Sequence, residues 1–102
     1  MAIKSQISEN GSSLVITIGG RFDATALDDF RRSYENDGSE GIQSYTVDLS
    51  ETVHLDSSAL GMLLVLRDHA GGDKAKITIS NCSPEVKKIF SISSFEQLFT
   101  IQ

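Results

Sequence analysis

Apolar and polar residues alternate from Ala2 to Ile7 and again from Leu14 to Ile18, and the Asn10-Gly11 dipeptide between the two runs suits the positive φ angles of a tight turn. This pattern predicts an antiparallel pair of strands at the start of the chain. Gly19-Gly20 interrupts it. Leu27, Phe30 and Tyr34 then recur at helical spacing behind Asp23, whose carboxylate can accept from the free N–H groups of a first helix, expected to end near Asn36 to Gly41. Tyr45 to Leu49 reads as a strand, and a short loop follows to Asp56. A second helix is predicted from Ser57 to His69, stopped by Gly71-Gly72. Lys76 to Ser80 is a further strand. Ser83-Pro84-Glu85 opens a third, short helix with a cap, a proline in the first turn and an acid that suits the dipole, and this helix should bury Val86, Ile89 and Phe90. Ser94, with Gln97 three residues on, predicts a capping box for a last turn holding Phe95, Leu98 and Phe99.

Strands and helices that alternate from Tyr45 onward predict an α/β fold: a mixed sheet, antiparallel at the N-terminal pair and parallel afterwards, flanked by helices. No repeat, low-complexity tract or linker divides the chain, so residues 1–102 are expected to form one domain. The second helix carries more apolar surface than packing on one side requires. Ala59, Leu60, Met62, Leu63, Leu64, Leu66 and Ala70 cover roughly 200° of its circumference, about twice the usual buried stripe. Either two neighbouring elements cover both flanks, or Met62 and Val65, toward the less buried side, form a docking surface beside Ser57. Gly61 would allow a neighbouring backbone to approach.

Composition narrows the function classes. The 102 residues are 39% hydrophobic, enough for one core, and the longest apolar stretch, Ala59 to Leu66, is too short to cross a bilayer. The expected protein is soluble, unprocessed and cytoplasmic. Net charge is −5, and basic residues never cluster beyond Arg31-Arg32 and Lys87-Lys88, which argues against nucleic acid or an anionic membrane as the main partner. The single cysteine, Cys82, has no thiol to pair with; it fits a reducing compartment and reads as a small buried side chain.

The candidate chemistry centres on Asp56-Ser57-Ser58, a hydroxyl-rich start to the second helix. The N–H groups of a helix N-terminus lack intrahelical acceptors and carry about half a positive charge, so a phosphate on Ser57 would be welcome there. The plainer role for Ser57 is an ordinary N-cap, and for Asp23 likewise a helix cap. Asp48 and Asp56 lack the further ligands that a metal site needs, and no cofactor motif is present. Ser57 with His54 as base is the one hydrolase arrangement that the chain offers, but no orienting acid or oxyanion donor can be assigned to it. His69 adds no clearer catalytic pattern.

Gly20-Arg21-Phe22-Asp23, Val47-Asp48-Leu49-Ser50, Leu55-Asp56-Ser57-Ser58-Ala59-Leu60-Gly61 and Asn81-Cys82-Ser83-Pro84-Glu85-Val86 resemble, in order, the landmarks of bacterial anti-sigma factor antagonists of the STAS domain family. The resemblance implies a sheet flanked by helices and a non-catalytic partner switch. In such a switch the unphosphorylated chain binds an anti-sigma factor and frees the sigma factor. A serine kinase, with the anti-sigma factor itself as one candidate, and a serine phosphatase then set the state. The family's phosphorylated serine falls on Ser57, Ser58 becomes a capping or first-turn residue, and Asp23 matches an aspartate near the switch. Asp23, Asp56, Ser57, Ser58, Met62 and Val65 are thus the expected partner-binding residues. The alternatives are a STAS scaffold or ligand sensor without phosphorylation, and the small serine hydrolase. Two departures stand out. Ala59 replaces a glycine of some relatives, and the chain stops at Gln102 where many relatives continue into another helix, whose contacts are expected to be absent or replaced.

Overall fold

The computed structural model describes residues 3–8, 10–35 and 41–102. β1 (Ile3–Ile7) and β2 (Ser13–Ile18) form the expected antiparallel pair, with Ser5 opposite Ile16. Gly11, at φ +75°, sits in the turn between them. β4 (Ser44–Asp48) and β6 (Ile77–Ser80) extend this sheet in parallel from β2, and β7 (Thr100–Ile101) pairs parallel with β6. The five-stranded order is β1-β2-β4-β6-β7. Alternation along these strands divides the sheet into two faces. Leu14, Ile16, Ile18, Tyr45, Val47, Ile77 and Ile79 point into the core, while Ser13, Val15, Thr17, Ser44, Thr46 and Thr78 stay half-buried on the other face.

A second, two-stranded sheet pairs β3 (Gly20–Phe22) with β5 (Thr52–Leu55) in parallel. The loop predicted between Leu49 and Asp56 therefore contains a strand, and Gly20, expected only to end one, begins another. Each strand is too short to show a period, and its partner lies some thirty residues away. Gly20 takes φ +75°, where its N–H donates to the Glu51 carbonyl at 2.9 Å, while the Thr52 hydroxyl donates to the Ile18 carbonyl at 2.6 Å. These bonds fasten the small sheet to the end of the large one.

α1 (Leu27–Glu35) follows a 3-10 turn, Ala24–Ala26, that Asp23 caps. The predicted end of the first helix, Asn36 to Gly41, falls largely outside the described residues. α2 (Ser57–His69) has the predicted limits, with Gly71 and Gly72 both at positive φ after it. α3 (Pro84–Ile92) is opened by Ser83, whose hydroxyl accepts from the Val86 N–H at 3.2 Å. Val86 and Phe90 are buried and Ile89 is half-buried. The capping box predicted at Ser94 does not form. Ser94 adopts φ +62° and its side chain accepts no capping bond, so the following turn, Phe95–Gln97, is held by backbone bonds and by Phe95 stacking between Phe90 and Phe99. Cys82 is only partly buried; desolvation raises its thiol pKa.

The inward residues of both sheets and all three helices form one buried cluster. No helix among the described residues is long and apolar enough to cross a membrane.

Candidate functional site

β3 and β5 end side by side. Phe22 pairs with Leu55, so the next residues, Asp23 and Asp56, stand together at the carboxyl ends of two neighbouring strands, where each starts a helical segment. Asp56 is the N-cap of α2. Its Oδ1 accepts from the Ser58 N–H at 3.0 Å and from the Ala59 N–H at 3.3 Å. Ser57 is thus the first helical residue rather than the cap, and both Ser57 and Ser58 are exposed. The amides that a phosphate was expected to find are already served by a carboxylate. Aspartate and serine are comparably good caps, and the residue that leaves the extended strand at the right φ and ψ takes the role.

Asp23 is bonded on both sides. Oδ1 accepts from the Thr25 N–H at 3.0 Å and from the Thr25 hydroxyl, and Oδ2 accepts from Arg21 Nε at 3.1 Å. The Thr25 hydroxyl first, and then Arg21, hold its carboxyl below the ordinary aspartate pKa. Arg21 pairs across the small sheet with His54. Asp48, at the end of β4, accepts from the Ser50 N–H at 2.9 Å and from Asn81 Nδ2 at 3.0 Å, and the Asn81 bond chiefly lowers its pKa.

At the start of α2 lies an apolar hollow of about 390 Å³, lined by Ala24, Leu27, Ser58, Gly61, Met62 and Val65, so that Ser58 rather than Ser57 borders it. Met62, expected toward the open side of α2, is only 5% exposed and forms part of the floor. Val65 at 54% and Leu64 at 42% carry the excess apolar surface outward, and Leu27 of α1 is also exposed. A glycine at 61 leaves open space where a Cβ would stand. The sequence placed Leu27 on the first helix and Arg21 in a family landmark but assigned neither of them, nor Ala24, to the site. The two-residue spacing of Arg21 and Asp23 on an extended segment, which puts both side chains on one side, was the available signal for the ion pair.

No hydrogen bond joins His54 to Ser57 among the described residues. The bonds at this helix start run from Asp56 to the Ser58 and Ala59 amides. His69 lies at the far end of α2, twelve residues or roughly 18 Å away, with its ring against Tyr34 and Tyr45. No cluster of three metal-ligating side chains forms among the described residues.

The family model for the STAS domain matches residues 4–102. The chain belongs to the STAS domain family. It is 56% identical over 101 residues to a STAS-domain containing protein of Pseudomonas aeruginosa strain UCBPP-PA14, covering 99% of both chains. Among solved structures, the STAS fold seen here superposes on the anti-sigma factor antagonist SpoIIAA in its unphosphorylated form with a TM-score of 0.75 at 17% identity, covering 99% of this chain and 87% of that one. The Bacillus cell fate determinant SpoIIAA in its phosphorylated form gives 0.67 at 19% identity, covering 99% and 91%. The mixed sheet with its antiparallel N-terminal pair is thus the STAS fold that these solved structures share.

Proposed function

We propose that this STAS domain is a cytoplasmic anti-sigma factor antagonist switched by phosphorylation of Ser57. Unphosphorylated, it binds an anti-sigma factor through α2 and the adjoining hollow and so releases the sigma factor. A serine kinase transfers a phosphoryl group to the Ser57 hydroxyl, and a serine phosphatase removes it. The chain itself is the substrate and performs no chemistry. The observation that carries this reading is an exposed, uncapping Ser57 at the start of α2, next in the chain to Ser58, which lines an apolar hollow. A capping serine would have to surrender a helix bond to be modified, whereas Ser57 surrenders none, because Asp56 caps. A phosphate there adds about −1.5 to −2 charge beside Asp56 and Asp23, which repels an apolar or acidic partner surface pressed onto the hollow.

The test combines intact-mass and phosphopeptide analysis of the chain from its native cell with binding to the anti-sigma factor captured by the tagged chain. One phosphate should map to Ser57. Ser57→Ala should bind like the parent and stay unmodified, and Ser57→Asp should weaken binding about tenfold or more. Phosphate on a different residue, or parent-like affinity of Ser57→Asp, would sink the proposal.

A further inference from the structure

Two segments meet at the candidate site, residues 19–30 and 50–66, and Arg21 is the only lysine or arginine in either. Its side chain is 65% exposed, and its Nε–H reaches only the outer oxygen, Oδ2, of Asp23. The capping bonds from Thr25 go to the other oxygen, Oδ1. Arg21 can therefore leave Asp23 without breaking the turn that Asp23 caps. Parallel neighbours lie about 4.8 Å apart, so the backbones at Asp23 and Asp56, the residues that follow the Phe22–Leu55 pair, stand about one strand spacing apart, with Ser57 next along the chain. Ala24 and Ser58 line the same hollow, which confirms that the two helix starts lie alongside each other.

We propose that Arg21 is the cation that receives the phosphate on Ser57, exchanging its ion pair with Asp23 for one with the phosphorylated side chain. This rests on Ser57 being the modified residue. The exchange is favoured because a phosphate carries nearly twice the charge of a carboxylate and can meet a planar guanidinium with two oxygens at once. The pair it gives up is a single bond whose Arg21 half is exposed, and pairs open to solvent contribute little. The Ser58 and Ala59 amides do not compete for the phosphate, since Asp56 holds them. Phosphorylation then has two effects at the rim of the hollow. It adds a partly neutralised phosphate at α2, and it uncovers the Asp23 carboxylate before α1. Arg21 acts as a positioning residue for the phosphorylated state, fixing where the new charge lies and extending the change to the second segment.

The full chain with phosphoserine genetically encoded at position 57 provides the test, followed by ³¹P pH titration. With Arg21 present, the second phosphate pKa should lie about 0.2–0.7 unit lower than in Arg21→Gln at low salt, a gap that narrows at high salt. The Arg21 Nε–H resonance should move on phosphorylation in the parent and lose its dependence on Asp23→Asn. A phosphate titration unchanged by Arg21→Gln, in a variant that melts like the parent, overturns the proposal. Because phosphoserine is installed without a kinase, this outcome leaves the Ser57 switch standing. Absence of phosphate on Ser57 in the native cell would remove the switch and leave the measured pairing intact.

Discussion

Replacing Asp56 by alanine should destabilise the domain far more than replacing Ser57, although the two adjoin at the same helix start. Asp56→Ala removes both side-chain bonds, to the Ser58 amide at 3.0 Å and to the Ala59 amide at 3.3 Å. The Ala59 amide keeps a second acceptor, the Asp56 carbonyl at 3.1 Å, so only the Ser58 amide loses its sole protein partner. Cap removal costs about 1 kcal/mol, and losing a negative charge from the helix N-terminus adds about 0.3–1 kcal/mol. The expected total is about 1–2 kcal/mol, a fall in Tm of roughly 5–15 °C for a domain of this size. Asp56→Asn keeps the acceptor and loses the charge, so it should fall between. Ser57→Ala removes an exposed hydroxyl that caps nothing and should stay within about 0.5 kcal/mol of the parent. Urea unfolding and reversible thermal melts followed by circular dichroism measure all three. If Ser57→Ala costs as much as Asp56→Ala, Ser57 is the true cap, and the view that modifying it leaves the helix intact fails.

The two sides of α2 should separate stability from binding. Leu63→Ala, at a fully buried position, should cost about 2–5 kcal/mol, whereas Leu64→Ala and Val65→Ala should cost within about 0.5 kcal/mol yet weaken partner binding, as calorimetric titration would show. Asp48 supplies a pH dependence. Its folded pKa is lowered by Asn81 and Ser50, so its contribution is complete above the unfolded aspartate value of about 3.9 and is lost as pH falls through the lower folded value. Asp48→Asn should therefore be slightly less stable than the parent at pH 7, with the difference vanishing in acid; a gap that does not shrink at all as pH falls below that reference would contradict this assignment.

Much of the main sheet and the limits of α2 were legible in the chain because their signals are local. Ile16, Ile18, Val47 and Ile79 alternate with polar residues, and Gly71-Gly72 ends α2 with backbone angles that other residues resist. β3, β5 and β7 were not legible. Arg21, His54 and Thr100 lie in strands of two to four residues whose only support is a distant partner, and no period can develop over that length. At the site, the sequence drew attention to Asp23, Asp56 and Ser57 but not to how they divide the work. Which acceptor caps a helix depends on where the strand releases the chain, and the Phe22–Leu55 pairing makes that point Asp56. Met62 was misplaced for a related reason. The apolar arc of α2 is wide enough that its open edge is set by where α1 lies, and Leu27 and Ala24 move that edge to Val65 and Leu64.

Capping by Asp56 also constrains how a phosphate on Ser57 could act. Were Ser57 the cap, phosphorylation would replace one helix acceptor by another, and the effect on a partner would pass through the helix start. With the Ser58 and Ala59 amides engaged by Asp56, a phosphate at Ser57 lies outside the capping bonds and next to a carboxylate that it repels. The least costly response is outward, toward solvent and Arg21, with α2 unchanged. Ala24, Gly61 and Met62 line the hollow beyond it, and the capping bonds that fix the start of α2 are not ones a phosphate on Ser57 would use. A switch built this way works by altering the charge at the edge of a preformed apolar site. Its two states should therefore share one fold, and differ in affinity by an amount that falls as salt screens the phosphate.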